Sequence, residues 1–158
     1  TAADLLTGTG VVPGIAYAPA GWARKPPQVP VDTRIIAEED RAAETERFRA
    51  AAETVAARFA ARASAATGAA SEVLAATATL AEDRGWIRTA TRQIGAGKPA
   101  TTATAEAIAK FVSQFEKIGG LMAERTTDLK DIRDRVIAEI LDQSVKNADD
   151  LEAKVGCQ

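Results

Sequence analysis

Two acidic side chains, Glu82 and Asp83, have the residue types and the neighbours of a site that binds a partner. Leu80 precedes them and Trp86 follows them, so apolar side chains flank both charges. Such a patch can dock a basic protein, because apolar contact supplies affinity and carboxylates supply complementary charge. Alternatively, these residues form a turn between helices in which Trp86 anchors the core. The sequence leaves both interpretations open.

Arg125 is a second residue whose position bears on function. It lies four residues before Leu129 and seven before Ile132, in line with the apolar stripe of a helix. An Arg at the edge of a core usually packs its aliphatic stem against apolar side chains and extends its guanidinium into water. Alternatively, the stripe emerges onto a surface where Arg125 contacts a partner. Spacing alone favours the structural role.

Composition excludes several kinds of chemistry. The chain has no His, and this removes the commonest general base, the commonest metal ligand and any phosphohistidine. Its one cysteine, Cys157, cannot form an internal disulfide and fits a reducing cytosol. A net charge of −2 without a basic cluster argues against nucleic acid and anionic membrane surfaces as partners. The sequence therefore predicts no catalytic residue, no metal ligand and a cytoplasmic location.

The elements that must position these residues are helices. The apolar periodicity predicts four of them: residues 37–66, residues 71–94 with a kink or restart at 82–85, residues 101–118, and residues 121–141. Hydrophobic residues make up 46% of the chain and aromatics only 4%, so the core should be thin and rich in Ala. Short connections favour antiparallel neighbours. We expect an all-α four-helix bundle of two helical hairpins, with Glu44 on the exposed face of the first helix.

The ends of the chain differ from this helical part. Val11–Tyr17 has the residues of short extended segments around a Pro-Gly turn, and Pro26, Pro27 and Pro30 predict an extended connector. Residues 144–158 lose the apolar periodicity, so they form either a frayed continuation of the last helix or a tail. We therefore expect an N-terminal arm and connector at 1–34, a helical domain at 35–143 and a tail at 144–158.

Four short motifs occur in order along the chain: Gly8–Tyr17 (GTGVVPGIAY), Glu46–Phe48 (ERF), Leu80–Asp83 (LAED) and Glu124–Ile132 (ERTTDLKDI). Together they resemble motifs in the N-terminal half of enzyme I of the bacterial phosphotransferase system, the phosphoenolpyruvate–protein phosphotransferase. The resemblance extends from about Gly8 to Leu141. Each motif alone is a weak signal. The four motifs occur in the order and at the spacing of the family, and this makes the resemblance fairly specific.

The resemblance implies a helical subdomain that docks the small phosphocarrier protein HPr. That subdomain is inserted into an α/β subdomain carrying the phosphohistidine, so the strand-forming arm would belong to a sheet that is absent from this chain. The family's active-site motif should follow the fourth helix, and this sequence does not contain it. Carried over position by position, the partner-binding residues are Leu74, Thr77, Leu80, Glu82, Asp83, Trp86 and Arg125.

We therefore expect the chain to position HPr for phosphoryl transfer from phosphoenolpyruvate in sugar uptake, and to be inactive alone. The resemblance implies magnesium and dimerisation through a C-terminal part for the full-length enzyme, and no cofactor in this chain. Many members carry acidic residues before the second helix, where this chain has Thr67–Ala70. The alternative is a helical-bundle adaptor or self-association module without a role in phosphotransfer.

Overall fold

The computed structural model of the chain describes residues 32–155, and its elements are all helical. A short 3-10 helix at Glu38–Asp40 precedes six α-helices: α1 (Arg41–Ala65), α2 (Gly68–Ala81), α3 (Arg84–Gly95), α4 (Ala100–Ile118), α5 (Gly120–Glu124) and α6 (Thr126–Val155). The prediction of an all-α domain is confirmed. The predicted second helix is two helices, α2 and α3, separated at residues 82–83.

The long helices pack as a four-helix bundle in which α2 and α3 together take one position. Helix α1 packs against α2, α3 and α6, and α4 packs against α3 and α6. The connections between α1 and α2 and between α3 and α4 are short, and this geometry makes consecutive helices antiparallel neighbours. The start of α3 therefore lies beside the C-terminal half of α4.

The core combines a few large side chains with many Ala residues. The rings of Phe48 and Trp86 meet edge to face with centroids 5.7 Å apart. Ala side chains between the helices let the backbones approach closely, because they have no atoms beyond Cβ. The predicted stripe of the last long helix is buried, with Leu129, Ile132, Val136 and Ile140 at most 3% exposed.

Glu44 is buried, and the prediction that it lies on an exposed face is wrong. Its Oε1 accepts the backbone N–H of Ala100 at 2.9 Å, and its other carboxylate oxygen accepts a hydrogen bond from Arg47. Backbone N–H groups in the first turn of a helix have no partner within that helix. The carboxylate of α1 thus caps α4, whose own N-cap residue, Pro99, provides no capping side chain.

Helix α4 ends where the sequence predicts an interruption. Gly119 and Gly120 have φ angles of 74° and 56°, which residues with a Cβ rarely adopt. The two glycines turn the chain from α4 into the short helix α5. A second break at Arg125 separates α5 from α6.

Of the two alternatives for the residues after 143, the structure favours a continuation of the last helix, because α6 remains helical to Val155. Ser144 donates its hydroxyl to the carbonyl oxygen of Ile140 at 3.0 Å, and Lys146 binds Asp142 at 2.7 Å. The carboxylate of Asp142 raises the pKa of the Lys146 ammonium. Local bonds of this kind sustain a helix whose apolar stripe has ended.

The N-terminal arm and the predicted strand at Val11–Tyr17 lie outside the described residues. The remaining domain limits predicted from the sequence stay predictions. Within residues 32–155, none of the helices combines the length and the apolar character needed to cross a membrane.

Candidate docking site

Six of the seven predicted partner-binding residues lie around the break between α2 and α3. Three are on α2, two form the break, and one is in the first turn of α3: Leu74, Thr77, Leu80, Glu82, Asp83 and Trp86. The seventh, Arg125, lies at the junction of α5 and α6.

The break is closed by Asp83, the N-cap residue of α3. Its backbone is extended, with φ −60° and ψ 120°, and its Oδ1 accepts the N–H of Gly85 at 2.7 Å. An N-cap carboxylate satisfies a free N–H of the first turn and faces the positive end of the helix dipole. Asp83 therefore restarts the helix and holds a negative charge at a fixed place on the surface.

Trp86 is fully buried, and the prediction that it offers apolar contact to a partner is wrong. Its ring packs against Phe48, and its indole N–H donates to the carbonyl oxygen of Leu80 at 3.1 Å. That bond joins the end of α2 to the start of α3. Trp86 is the core anchor of the break, the alternative that the sequence had left open.

Thr77 is also buried, so its predicted contact with a partner is corrected as well. Its hydroxyl donates to the carbonyl oxygen of Val73 at 3.0 Å, one turn earlier in α2. The side chain thus has its hydrogen-bond partner inside its own helix and presents no free polar group to the surface.

The other residues around the break remain accessible. Leu74 and Leu80 are half-buried and pack against the edge of the core, whereas Glu82 and Asp83 are exposed. Neither acid forms a salt bridge with a residue of the described chain. The break therefore presents apolar side chains beside two carboxylates that form no ion pair within the described part of the chain.

Arg125 is half-buried and ends α5. Its backbone N–H donates to Met122 at 3.2 Å, and its carbonyl oxygen accepts the N–H of Leu129 at 3.2 Å. Within residues 32–155, its guanidinium makes no salt bridge to Glu82 or Asp83. Contact of Arg125 with a partner stays a prediction, but the guanidinium does not hold the acid pair in place here.

Helix α4 borders the α2–α3 break through Phe111. Gly85 has no side chain, and an added Cβ there would lie 2.8 Å from Cζ of Phe111 and 2.8 Å from Oδ1 of Asp83. The missing side chain thus lets the Phe111 ring approach the α2–α3 break. Phe111 is only half-buried, so part of the ring is accessible beside the two acids.

Apolar side chains continue from Phe111 towards the end of α4. Phe115 and Ile118 follow at steps of four and three residues, on the same helix face. Phe115 is half-buried and Ile118 is 68% exposed. The docking surface, as we define it, comprises Leu74, Leu80, Glu82, Asp83, Phe111, Phe115 and Ile118. The helical spacing of Phe111, Phe115 and Ile118 does not by itself show that these side chains are partly exposed.

Magnesium, which the resemblance implies for the full-length enzyme, has no candidate site on this surface. Among residues 32–155, no group of three or more Cys, Asp or Glu side chains converges as metal ligands would. Glu82 and Asp83 alone supply too few ligand groups for a dedicated cation site.

Residues 7–125 match the family model described as PEP-utilising enzyme, N-terminal. A phosphoenolpyruvate-protein phosphotransferase of Streptomyces coelicolor is 35% identical over 136 residues, which cover 86% of this chain and 24% of the relative. One from Haloferax volcanii is 47% identical over 49 residues, which cover 31% of this chain and 9% of the relative. The chain thus spans 24% or less of the length of these relatives.

Two solved structures have a fold similar to that of this chain. A solution structure of enzyme I matches with a TM-score of 0.63 and 25% identity, over 72% of this chain and 48% of that one. The N-terminal domain of Enzyme 1 – Nitrogen matches with a TM-score of 0.58 and 26% identity, over 65% and 45% of the two chains. These matches confirm the resemblance that the four sequence motifs indicated.

Proposed function

Since the chain belongs to the family of N-terminal domains of PEP-utilising enzymes, we propose that its helical bundle docks the phosphocarrier HPr. Docking would position HPr for phosphoryl transfer from phosphoenolpyruvate during sugar uptake in the cytoplasm. The observation that carries the proposal is the α2–α3 break, where Leu80 and Phe111 lie beside Glu82 and Asp83, two acids without a salt bridge to any described residue. A partner with an apolar rim and basic groups would complement this surface in both respects.

The residues of the docking surface would contribute to different properties of HPr binding, namely its affinity, its association rate and its selectivity. Leu80 and Phe111 adjoin the two acids and would supply most of the affinity, because apolar side chains that lose their water in an interface dominate binding. Glu82 and Asp83 are exposed and would mainly speed association and select a basic partner. Trp86 would act as a positioning residue, since it holds the break without reaching the surface.

Phosphoryl chemistry would take place outside these residues. The sequence contains no His, so no imidazole within it can carry the phosphoryl group. Transfer from phosphoenolpyruvate, magnesium binding and dimerisation would belong to other parts of a full-length protein. The 158 residues would contribute recognition of HPr and its orientation.

Self-association of the bundle is the second candidate function. Leu141 and Val145 are one turn apart on α6, and they are 44% and 60% exposed. An accessible apolar pair of this kind can bind a second copy of the chain. A concentration series by analytical ultracentrifugation separates the candidates, because a docking module of enzyme I needs HPr and not a second copy.

Calorimetric titration with HPr from the same organism tests the docking proposal. We expect Leu80→Ala to weaken binding about tenfold, or roughly 1.4 kcal/mol, because it truncates a central apolar contact. Leu141→Ala makes the same change in a partly exposed leucine of α6 and should leave the affinity within about twofold, since that residue lies off the docking surface. Absence of HPr binding, or equal losses in the two variants, would contradict the proposal.

A further inference from the structure

Arginine side chains surround a small cavity between α1 and α6. The cavity has a volume of about 30 Å³ and is lined by Val55, Arg58, Phe59, Arg62 and Arg135. This space admits one or two oxygen-sized atoms. The sequence shows no basic cluster, because Arg135 is far along the chain from the other two arginines. Folding of α6 against α1 brings all three together.

The guanidinium groups of the cavity are held in place by the residues around them. The guanidinium carbons of Arg135 and Arg62 lie 5.2 Å and 6.0 Å from the centroid of the Phe59 ring. Arg58 binds a carboxylate oxygen of Glu139 at 2.8 Å. Stacking over an aromatic face and pairing with a carboxylate both restrict an Arg side chain before any ligand binds.

Positive charge exceeds negative charge at this cavity. Arg58 is paired with Glu139, and Arg135 is paired with Asp131 at 3.0 Å. Arg62 forms no salt bridge with any residue of the described chain. A guanidinium has five N–H donors, so even the two paired arginines keep donors for a ligand.

We propose that this arginine cavity binds a phosphate-type oxyanion, either inorganic phosphate or the phosphoryl group of a small metabolite. Guanidinium groups match tetrahedral oxyanions well, since each can donate two parallel hydrogen bonds. One or two oxygens of the anion would enter the cavity above Phe59, and the rest of the ligand would stay in solvent. Arg62 supplies the charge that no carboxylate of residues 32–155 neutralises.

The arginine cavity is separate from the docking surface. It lies between α1 and α6, whereas the residues of the docking surface belong to α2, to α4 and to the break before α3. Binding of an anion here is an additional property of the bundle, and it does not depend on whether the chain binds HPr.

Titration with inorganic phosphate at pH 7.5, followed by amide chemical shifts, tests the proposal. Ionic strength is held constant with sodium chloride, because exposed charges are screened by salt. We expect saturable shifts at residues 55–62 and 131–139, with a dissociation constant of about 1–10 mM for so exposed a site. Arg62→Gln should weaken binding about tenfold. Arg88→Gln removes the same charge from an exposed position on α3 and should change binding less than about twofold.

A second variant tests the location of the anion site, and a second ligand tests which kind of phosphate it binds. Arg135→Gln should also weaken phosphate binding at least threefold or so, because its guanidinium lies over the same ring. Glycerol phosphate identifies the source of the anion: equal affinity supports free phosphate as ligand, and clearly tighter binding supports a phosphorylated metabolite. Unsaturable shifts, equal weakening by Arg88→Gln, or binding of polyglutamate without binding of phosphate would overturn the proposal.

Discussion

Substituting Gly85 by Ala should weaken binding of HPr while changing the stability of the bundle little. The new Cβ would lie 2.8 Å from the Phe111 ring and 2.8 Å from the Asp83 carboxylate, closer than such atoms can approach. Both neighbouring atoms are ends of side chains at the surface, so we expect these side chains to move and the backbone to stay. The movement displaces one apolar group and one charge of the docking surface.

The expected magnitudes follow from opposing terms. Asp83 caps α3 through the N–H of Gly85 at 2.7 Å, and loss of an N-cap costs about 0.5–2 kcal/mol. Ala in a helix is favoured over Gly by roughly 0.8–1 kcal/mol. The free energy of unfolding should therefore change by no more than about 1 kcal/mol. Displacement of a central aromatic group should cost about 1–2 kcal/mol of binding, or roughly 5- to 30-fold in affinity.

Gly95→Ala provides the matched control at the other end of α3. A Cβ at Gly95 would meet no atom within 4 Å, so this variant gains helix propensity without a clash. Calorimetry with HPr and urea unfolding are measured for both variants. Unchanged HPr affinity in Gly85→Ala would refute the position of the docking surface. A stability loss above about 3 kcal/mol would refute our expectation that only side chains move.

Two further predictions concern Trp86 and phosphorylation. Trp86→Phe loses buried volume and the hydrogen bond to Leu80, and should lower the free energy of unfolding by roughly 1.5–3 kcal/mol in urea titrations. Ile118→Val, at a 68% exposed position, should lower it by less than about 0.5 kcal/mol, and similar values for both would contradict the anchoring role. Incubation with phosphoenolpyruvate and magnesium should add no phosphoryl group to the 158-residue chain, because it contains no His. A stable added phosphoryl mass on the intact protein would disprove this.

Helical periodicity predicted the parts of the fold that depend on neighbours along one helix. Leu129, Ile132, Val136 and Ile140 share a face by spacing alone, and all are buried. The break at residues 82–85 was also predictable, because Glu82-Asp83-Arg84-Gly85 combines a capping residue with a glycine. The helical extension to Val155 was only one of two alternatives, because local hydrogen bonds, and not an apolar stripe, sustain it.

Features that depend on distant residues could not be predicted in this way. The sequence around Glu44 is that of an exposed helix face. The side chain is buried because it binds the backbone of Ala100, which is 56 residues away along the chain. The side that Trp86 faces was undetermined because a helix break resets the phase of the apolar stripe. The spacing of Phe111 on α4 does not show what its ring contacts, and only its approach to the Gly85 position shows that the ring borders the docking surface.

The most direct test of the docking proposal is the footprint of HPr on the bundle. Unlabelled HPr is titrated into the isotopically labelled chain, and the amide shifts are followed residue by residue. We expect the largest changes at residues 74–86 and 111–118, and little change at residues 55–62 and 131–141. A footprint centred on the α1–α6 face, or no change at a saturating excess of HPr, would contradict the docking proposal.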